Sequence, residues 1–126
     1  MTSLANYLEK YIFLIGGCSR EEESVDVYNI EDSSWKSAPS LNEDRNIASS
    51  CVLGDSVYTF GGCSLLWPYP EVNSIETISA KQVIQDAPDL SWKLIKLSEQ
   101  TLKPRQKALF YPISSTELVI FGGNAF

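Results

Sequence analysis

The sequence of 126 residues contains no histidine, a single methionine, and three cysteines of which no two form a CxxC pair. Without histidine, Ser-His-Asp and Cys-His nucleophilic chemistry is excluded, and so are the usual neutral-pH proton shuttle and the commonest metal ligand. An odd number of widely spaced cysteines, Cys18, Cys51 and Cys63, indicates neither a zinc site nor a disulfide framework. Long apolar runs are missing too. Residues 11–15 make a short one, and none approaches the ~20 residues needed to span a bilayer. No basic stretch, longer apolar run and cleavage signal open the chain, so no signal peptide is read. Positive charge is scarce and scattered. Ten Lys and Arg stand against sixteen Asp and Glu, a net charge of −6, which leaves no footprint for nucleic acid or an anionic membrane. These absences predict no cofactor, no metal, three reduced thiols and a reducing, cytoplasmic setting. The acidic balance suits solubility and a basic partner.

Glycine is also sparse, and its placement is informative. Six of the seven glycines form the pairs Gly16-Gly17, Gly61-Gly62 and Gly122-Gly123. Each pair closes a short run of β-branched, aromatic and aliphatic residues: 11–15, 57–60 and 118–121. The pairs recur after 45 and then 61 residues, and a period of roughly 40–60 residues marks a repeat architecture. Ahead of each run stands a turn signal, at residues 9–10, 54–55 and 114–116, so each pair ends a hairpin. Beyond the first pair, residues 24–30 alternate polar and apolar, the pattern of a half-buried strand, and residues 34–36 make a fourth short strand. The second unit repeats this order. Residues 74–78 match 24–28, and residues 91–93 match 34–36, with seven residues inserted between its third and fourth strands. No helix is convincing. Residues 79–85 allow a turn or two before Pro88 ends it.

Four apolar residues, a glycine pair, a tyrosine, six residues and a tryptophan form a pattern that resembles the kelch repeat. The first unit matches in full through residues 12–15, Gly16, Gly17, Tyr28 and Trp35. The second matches through Gly61, Gly62 and Trp92, with Thr59 inside its apolar run and Ile78 in place of the tyrosine. The third keeps only its hairpin with Gly122 and Gly123. The resemblance covers nearly the whole chain. It implies an all-β fold, a partial β-propeller of two four-stranded antiparallel blades plus a terminal hairpin. Blade 1 is expected at about 3–41, blade 2 at about 46–98 and the hairpin at about 106–126. Propellers have roughly 4–8 blades, so the remaining blades are expected from missing sequence, the chain being a fragment or an incomplete product. Tyr28, Trp35 and Trp92 are expected to pack between blades.

The candidate sites follow from this layout. The glycine pairs lack the strand-loop-helix context and the Lys-Ser/Thr of a phosphate cradle, so they read as backbone geometry. Cys18 and Cys63 each follow a pair directly, yet equivalent positions in adjacent blades lie beyond the ~7 Å limit for a disulfide. Cys51 reads as core. Arg45 and Arg105 each precede the first strand of a unit, on the face that also carries residues 19–23 and 65–70. Two readings stay open for them, partner contact and structural ion pair. The loop at 65–70, with Leu66, Trp67 and Tyr69, is unusually apolar for a connection. It either folds back to cap its blade or forms a contact surface. Residues 21–23, all glutamate, read as a solvated acidic loop.

A non-enzymatic module is expected, binding another protein or peptide through Arg20, Arg45, Leu66, Trp67, Tyr69 and Arg105, as a scaffold or substrate receptor. The rival reading is a propeller enzyme acting on a sugar. Copper oxidase chemistry is excluded by the absence of histidine. A truncated product without activity of its own is the third.

Overall fold

The computed structural model describes residues 1–17, 21–98, 100 and 102–124. Ten strands and one short helix follow one another: β1 (Ser3–Tyr7), β2 (Tyr11–Ile15), β3 (Val25–Asn29), β4 (Ser34–Ala38), β5 (Ser49–Leu53), β6 (Ser56–Phe60), β7 (Ser74–Ser79), α1 (Ala80–Ile84), β8 (Lys93–Lys96), β9 (Leu109–Pro112) and β10 (Leu118–Phe121). β1-β2-β3-β4 and β5-β6-β7-β8 are two four-stranded sheets in sequence order, and β9-β10 is a hairpin. Every described pairing is antiparallel. The all-β, two-blades-plus-hairpin architecture expected from the repeat is therefore what the chain adopts. Between β5 and β6, Gly54 takes the positive φ of 60° that a two-residue hairpin asks of its first position.

The innermost strands of successive sheets lie side by side, β1 against β5 and β5 against β9. Period-2 alternation then decides which side chains are buried. In blade 1, Ala5, Phe13 and Val27 are directly opposite one another along β1, β2 and β3, and Ile15 faces Val25. This face meets Val57, Ile78 and Trp92 of blade 2 in one apolar cluster. Phe13, Ile15 and Val57 are fully buried, each such side chain contributing roughly 1.5–3 kcal/mol. The other face of blade 2 presents Cys51 and Phe60 to Ala108 and Phe110 of the hairpin, with the two phenyl rings edge to face at 6.1 Å. Polar links cross the first joint. The Tyr7 hydroxyl donates to Asp55 at 2.7 Å, which raises the Tyr7 pKa, chiefly through that hydrogen bond to the carboxylate.

The insertion in the second unit forms α1. Ser79 caps it, accepting from the Gln82 N–H at 3.2 Å, the stabilising use of serine at a helix start. Ala80 and Val83 enter the core between the blades. The lengthened connection thus adds to the apolar cluster.

The tryptophans differ from expectation. Trp92 is buried, its indole N–H donating to the Pro39 carbonyl at 2.8 Å. Trp35 is 58% exposed, so its predicted burial between blades is corrected. The register gives the reason. Tyr28 is opposite both Ile12 and Trp35, on the face of blade 1 turned away from blade 2. Each tryptophan lies on the side towards the preceding blade. Trp92 meets blade 1 there, whereas no blade of the structure covers that side of blade 1. Tyr28, half-buried, and Trp35 stack on each other instead, with ring centroids 4.7 Å apart.

Candidate functional site

The first two glycine pairs prove to be the joints between successive units. The Gly17 N–H donates to the Arg45 carbonyl at 3.1 Å, and the Gly62 N–H to the Arg105 carbonyl at 3.0 Å. A Cβ on Gly16 would sit 2.2 Å from the Arg45 oxygen, and one on Gly61 2.3 Å from the Arg105 oxygen. Only glycine admits that approach, and both residues also hold a positive φ. The first two repeats are thus each stitched through the glycine pair to the arginine that opens the next.

The arginine side chain then turns inward. Arg45 is fully buried. Its Nε donates to Glu76 Oε2 at 2.9 Å, its Nη1 to the Gly61 and Ser74 carbonyls at 3.0 and 3.1 Å, and its Nη2 to Ser74 Oγ at 2.6 Å. Glu76 is buried as well. Its Oε1 accepts from the backbone and side-chain amides of Asn42 at 2.6 and 2.8 Å. Burial pulls the Arg45 pKa down, while the hydrogen bond and charge of Glu76 oppose that shift. A guanidinium stays charged through such a shift. Arg45 is therefore a strut joining the entry of blade 2 to its second and third strands, which removes it from the contact residues expected on the loop face. Of the two readings left open for Arg45, the structural ion pair holds. Arg105 is half-buried, and its Nη1 donates to the Gly122 carbonyl at 2.6 Å, as Arg45 does to Gly61. Arg20 and Cys18 lie outside the described residues.

The loop at residues 65–70 does not fold back. Trp67 is 83% exposed, and Leu66 and Tyr69 are exposed beside it. The base of the loop is nonetheless held. The Leu65 N–H donates to the Glu22 carboxylate at 2.9 Å, Ser64 Oγ to Asp44 at 3.3 Å, and the Tyr69 N–H to the Leu66 carbonyl at 2.7 Å. Glu22 is thus a tether between the two loops and not merely solvated acid. The peptide bond between Trp67 and Pro68 is cis. Two clefts flank the loop. One, of about 570 Å³, runs between Leu66, Trp67 and Pro70 and the acidic residues Glu43, Asp44 and Glu71. The other, of about 410 Å³, lies between Leu65, Tyr69, Ile47 and the buried amides Asn46 and Gln106.

Glu76 and Asn42 escaped the sequence reading. A signal for Glu76 existed. It occupies an alternate position of a strand otherwise expected to bury that face, and an arginine precedes the same repeat. A carboxylate there needs a cation.

Cys51 and Cys63 are free and buried. Burial pushes the Cys51 thiol up to about 11; burial, then Glu22 and Glu71, raises that of Cys63. Because the thiolate is the reactive form, a rise from 9.0 to about 11 lowers its population near pH 8 about 100-fold. Native Cys51 is expected to react with iodoacetamide at least about 100-fold more slowly than in denatured chain. Labelling at equal rates, read by peptide mass spectrometry, would contradict its placement in the core.

Comparison with known proteins fits this construction. The Kelch motif family matches residues 5–42, the span of β1 to β4. The first four-stranded unit is thus similar to a kelch motif, and β5–β8 repeats its strand order. A similar protein is the Kelch repeat and BTB domain-containing protein 2 of cowpox virus (strain Brighton Red), 26% identical over 91 residues, 71% of this chain and 16% of that protein. The chain therefore spans about a sixth of the length of that relative. In kelch terms, β1–β4 and β5–β8 are two blades of a partial propeller, and the arginine-to-glycine joints are its blade-to-blade seams.

Proposed function

We propose that this kelch segment is a non-enzymatic protein-interaction module, a scaffold or substrate receptor in the cytoplasm that binds another protein or peptide through the 65–70 loop. The observation that carries the reading is Trp67, a large aromatic side chain 83% exposed on a tethered loop between two clefts. Exposed aromatics of this kind act as binding anchors, where truncation costs about 2 kcal/mol or more. Leu66 and Tyr69 extend the apolar surface, and Arg105 stands half-buried at the start of the neighbouring hairpin. The acidic edge at Glu43, Asp44 and Glu71 favours a partner that combines an apolar side chain with lysine or arginine.

The test compares the wild type with Trp67→Ala. Because the indole touches little of its own blade, the urea midpoint is expected to move by less than about 0.5 kcal/mol. Partners recovered from cell extract by the wild type are expected to be lost by the variant. Retention of every partner by a folded Trp67→Ala chain would remove this loop as the binding site.

A further inference from the structure

The larger cleft beside the 65–70 loop has an apolar wall and an acidic one. Leu66, Trp67 and Pro70 belong to the first, and Glu43, Asp44 and Glu71 to the second. The three carboxylates share the lining with one lysine, Lys96, which is 74% exposed and 3.6 Å from Glu43. So exposed a pair neutralises little. Glu43 is also held from behind, by the Ser74 hydroxyl and by Arg45 Nη2 at 3.4 Å. Asp44 differs. Its described partner is the Ser64 hydroxyl at 3.3 Å, a neutral donor. Asp44 is half-buried, and a carboxylate in that setting gains from a cation.

A second observation points the same way. Asn73 lines the cleft, and its side-chain NH2 donates to the Leu97 and Leu102 carbonyls at 3.2 and 2.9 Å. Those two acceptors fix the orientation of the amide. Its Oδ1 is left buried with no hydrogen-bond partner among the described residues, an arrangement that costs free energy. The lining thus offers acceptors in excess of donors. Across from them stands the exposed indole of Trp67. Its loop is tied down by Glu22 and by the Tyr69–Leu66 hydrogen bond, so little ordering cost attaches to binding there. The cleft is walled by blade 2 and the segments that enter and leave it, away from both ends of the chain.

We propose that this cleft is a pocket for one arginine side chain of the partner polypeptide, with the guanidinium stacked on the Trp67 indole and its N–H edge donated to Asp44. The two walls together select the residue. A guanidinium is planar, weakly hydrated and rich in donors along its edge, so it meets an aromatic face and a carboxylate at once. A lysine ammonium is a compact, strongly hydrated point charge without that plane. An apolar side chain would cover Asp44 without supplying a cation, and an acidic one would add like charge. Arginine is thereby the residue that the 65–70 loop reads, which rests on that loop being the binding surface.

The test titrates the whole 126-residue chain with N-acetyl-arginine methylamide and follows the indole N–H signals by NMR. The Trp67 signal, assigned by its loss in Trp67→Phe, is expected to shift saturably while that of buried Trp92 stays in place. The citrulline derivative keeps the planar shape and loses the charge; the lysine derivative keeps the charge and loses the plane. Each is expected to bind at least about fivefold more weakly. Asp44→Asn should bring arginine and citrulline to within about twofold of each other. Comparing ligands leaves the protein untouched, so that result stands even where Asp44→Asn disturbs the loop. No saturable shift, equal affinity for arginine and citrulline, or movement of Trp35 in place of Trp67 would each overturn the pocket. Partners lost by Trp67→Ala together with equal affinity for the two derivatives would keep the loop as the binding surface and overturn the arginine pocket alone.

Discussion

Replacing Arg45 with alanine is expected to destabilise the chain by about 3–5 kcal/mol, the cost of stranding one partner of a buried ion pair. The substitution leaves the Glu76 carboxylate fully buried with only the two Asn42 amides to solvate it. It also strips a donor from the Gly61 and Ser74 carbonyls, both at the seam of β6 and β7. Domains of ordinary stability have about 5–15 kcal/mol in all, so this one change removes a large share. Arg45→Lys is not expected to rescue it, because an ammonium cannot supply Nε, Nη1 and Nη2 in a fixed fork. Removing the stranded charge should help. The Arg45→Ala, Glu76→Gln double variant is expected to lose less than the sum of the single changes, the mark of a coupled pair. Arg105→Ala, with a half-buried side chain and one described hydrogen bond, should cost about 1 kcal/mol. Urea titration followed by circular dichroism reads all five variants, Glu76→Gln alone included. Equal midpoints for Arg45→Ala and Arg105→Ala would mean that the buried fork is not a strut.

Much of this architecture was legible because the repeat states it three times. The glycine pairs, the turn signals and the period-2 runs each locate a strand from local chemistry alone, and all three hairpins form where those signals place them. Other features depend on contacts between units. That Gly16 and Gly61 are required by the carbonyls of Arg45 and Arg105 involves residues 29 and 44 positions away, which no local pattern encodes. The direction of the Arg45 side chain was equally undetermined. Position in a loop does not say whether a guanidinium faces solvent or a carboxylate two strands away. Helix α1 was visible only as room for a turn or two over residues 79–85, because five residues carry little helical periodicity, and its burial comes from Ala80 and Val83 meeting a neighbouring blade. The exposed Trp67 follows the same logic in reverse. The apolar composition of its loop was visible, but its tether to Glu22 was not.

The two repeat tryptophans give the second large effect, because the same motif position has opposite surroundings. Trp92→Ala is expected to cost about 3–5 kcal/mol, the range for deleting a buried tryptophan. The indole is buried in the apolar cluster that also holds Val83, Ile78 and Leu41, and its N–H is committed to Pro39. Collapse around the cavity would require β8 and α1 to move together. Trp92→Phe should keep most of the packing and lose the hydrogen bond, a smaller cost of roughly 1 kcal/mol beyond the volume change. Trp35→Ala, on the uncovered face of blade 1, loses chiefly its contact with Tyr28 and should cost about 0.5–1.5 kcal/mol. Fluorescence separates the three indoles in the same experiments. Trp35 and Trp67 are exposed and Trp92 is buried, so Trp92→Phe should remove the blue-shifted part of the native emission, whereas Trp35→Phe should leave it. Equal destabilisation by Trp35→Ala and Trp92→Ala would show that the outer face of blade 1 is covered in solution, and would turn attention to what covers it.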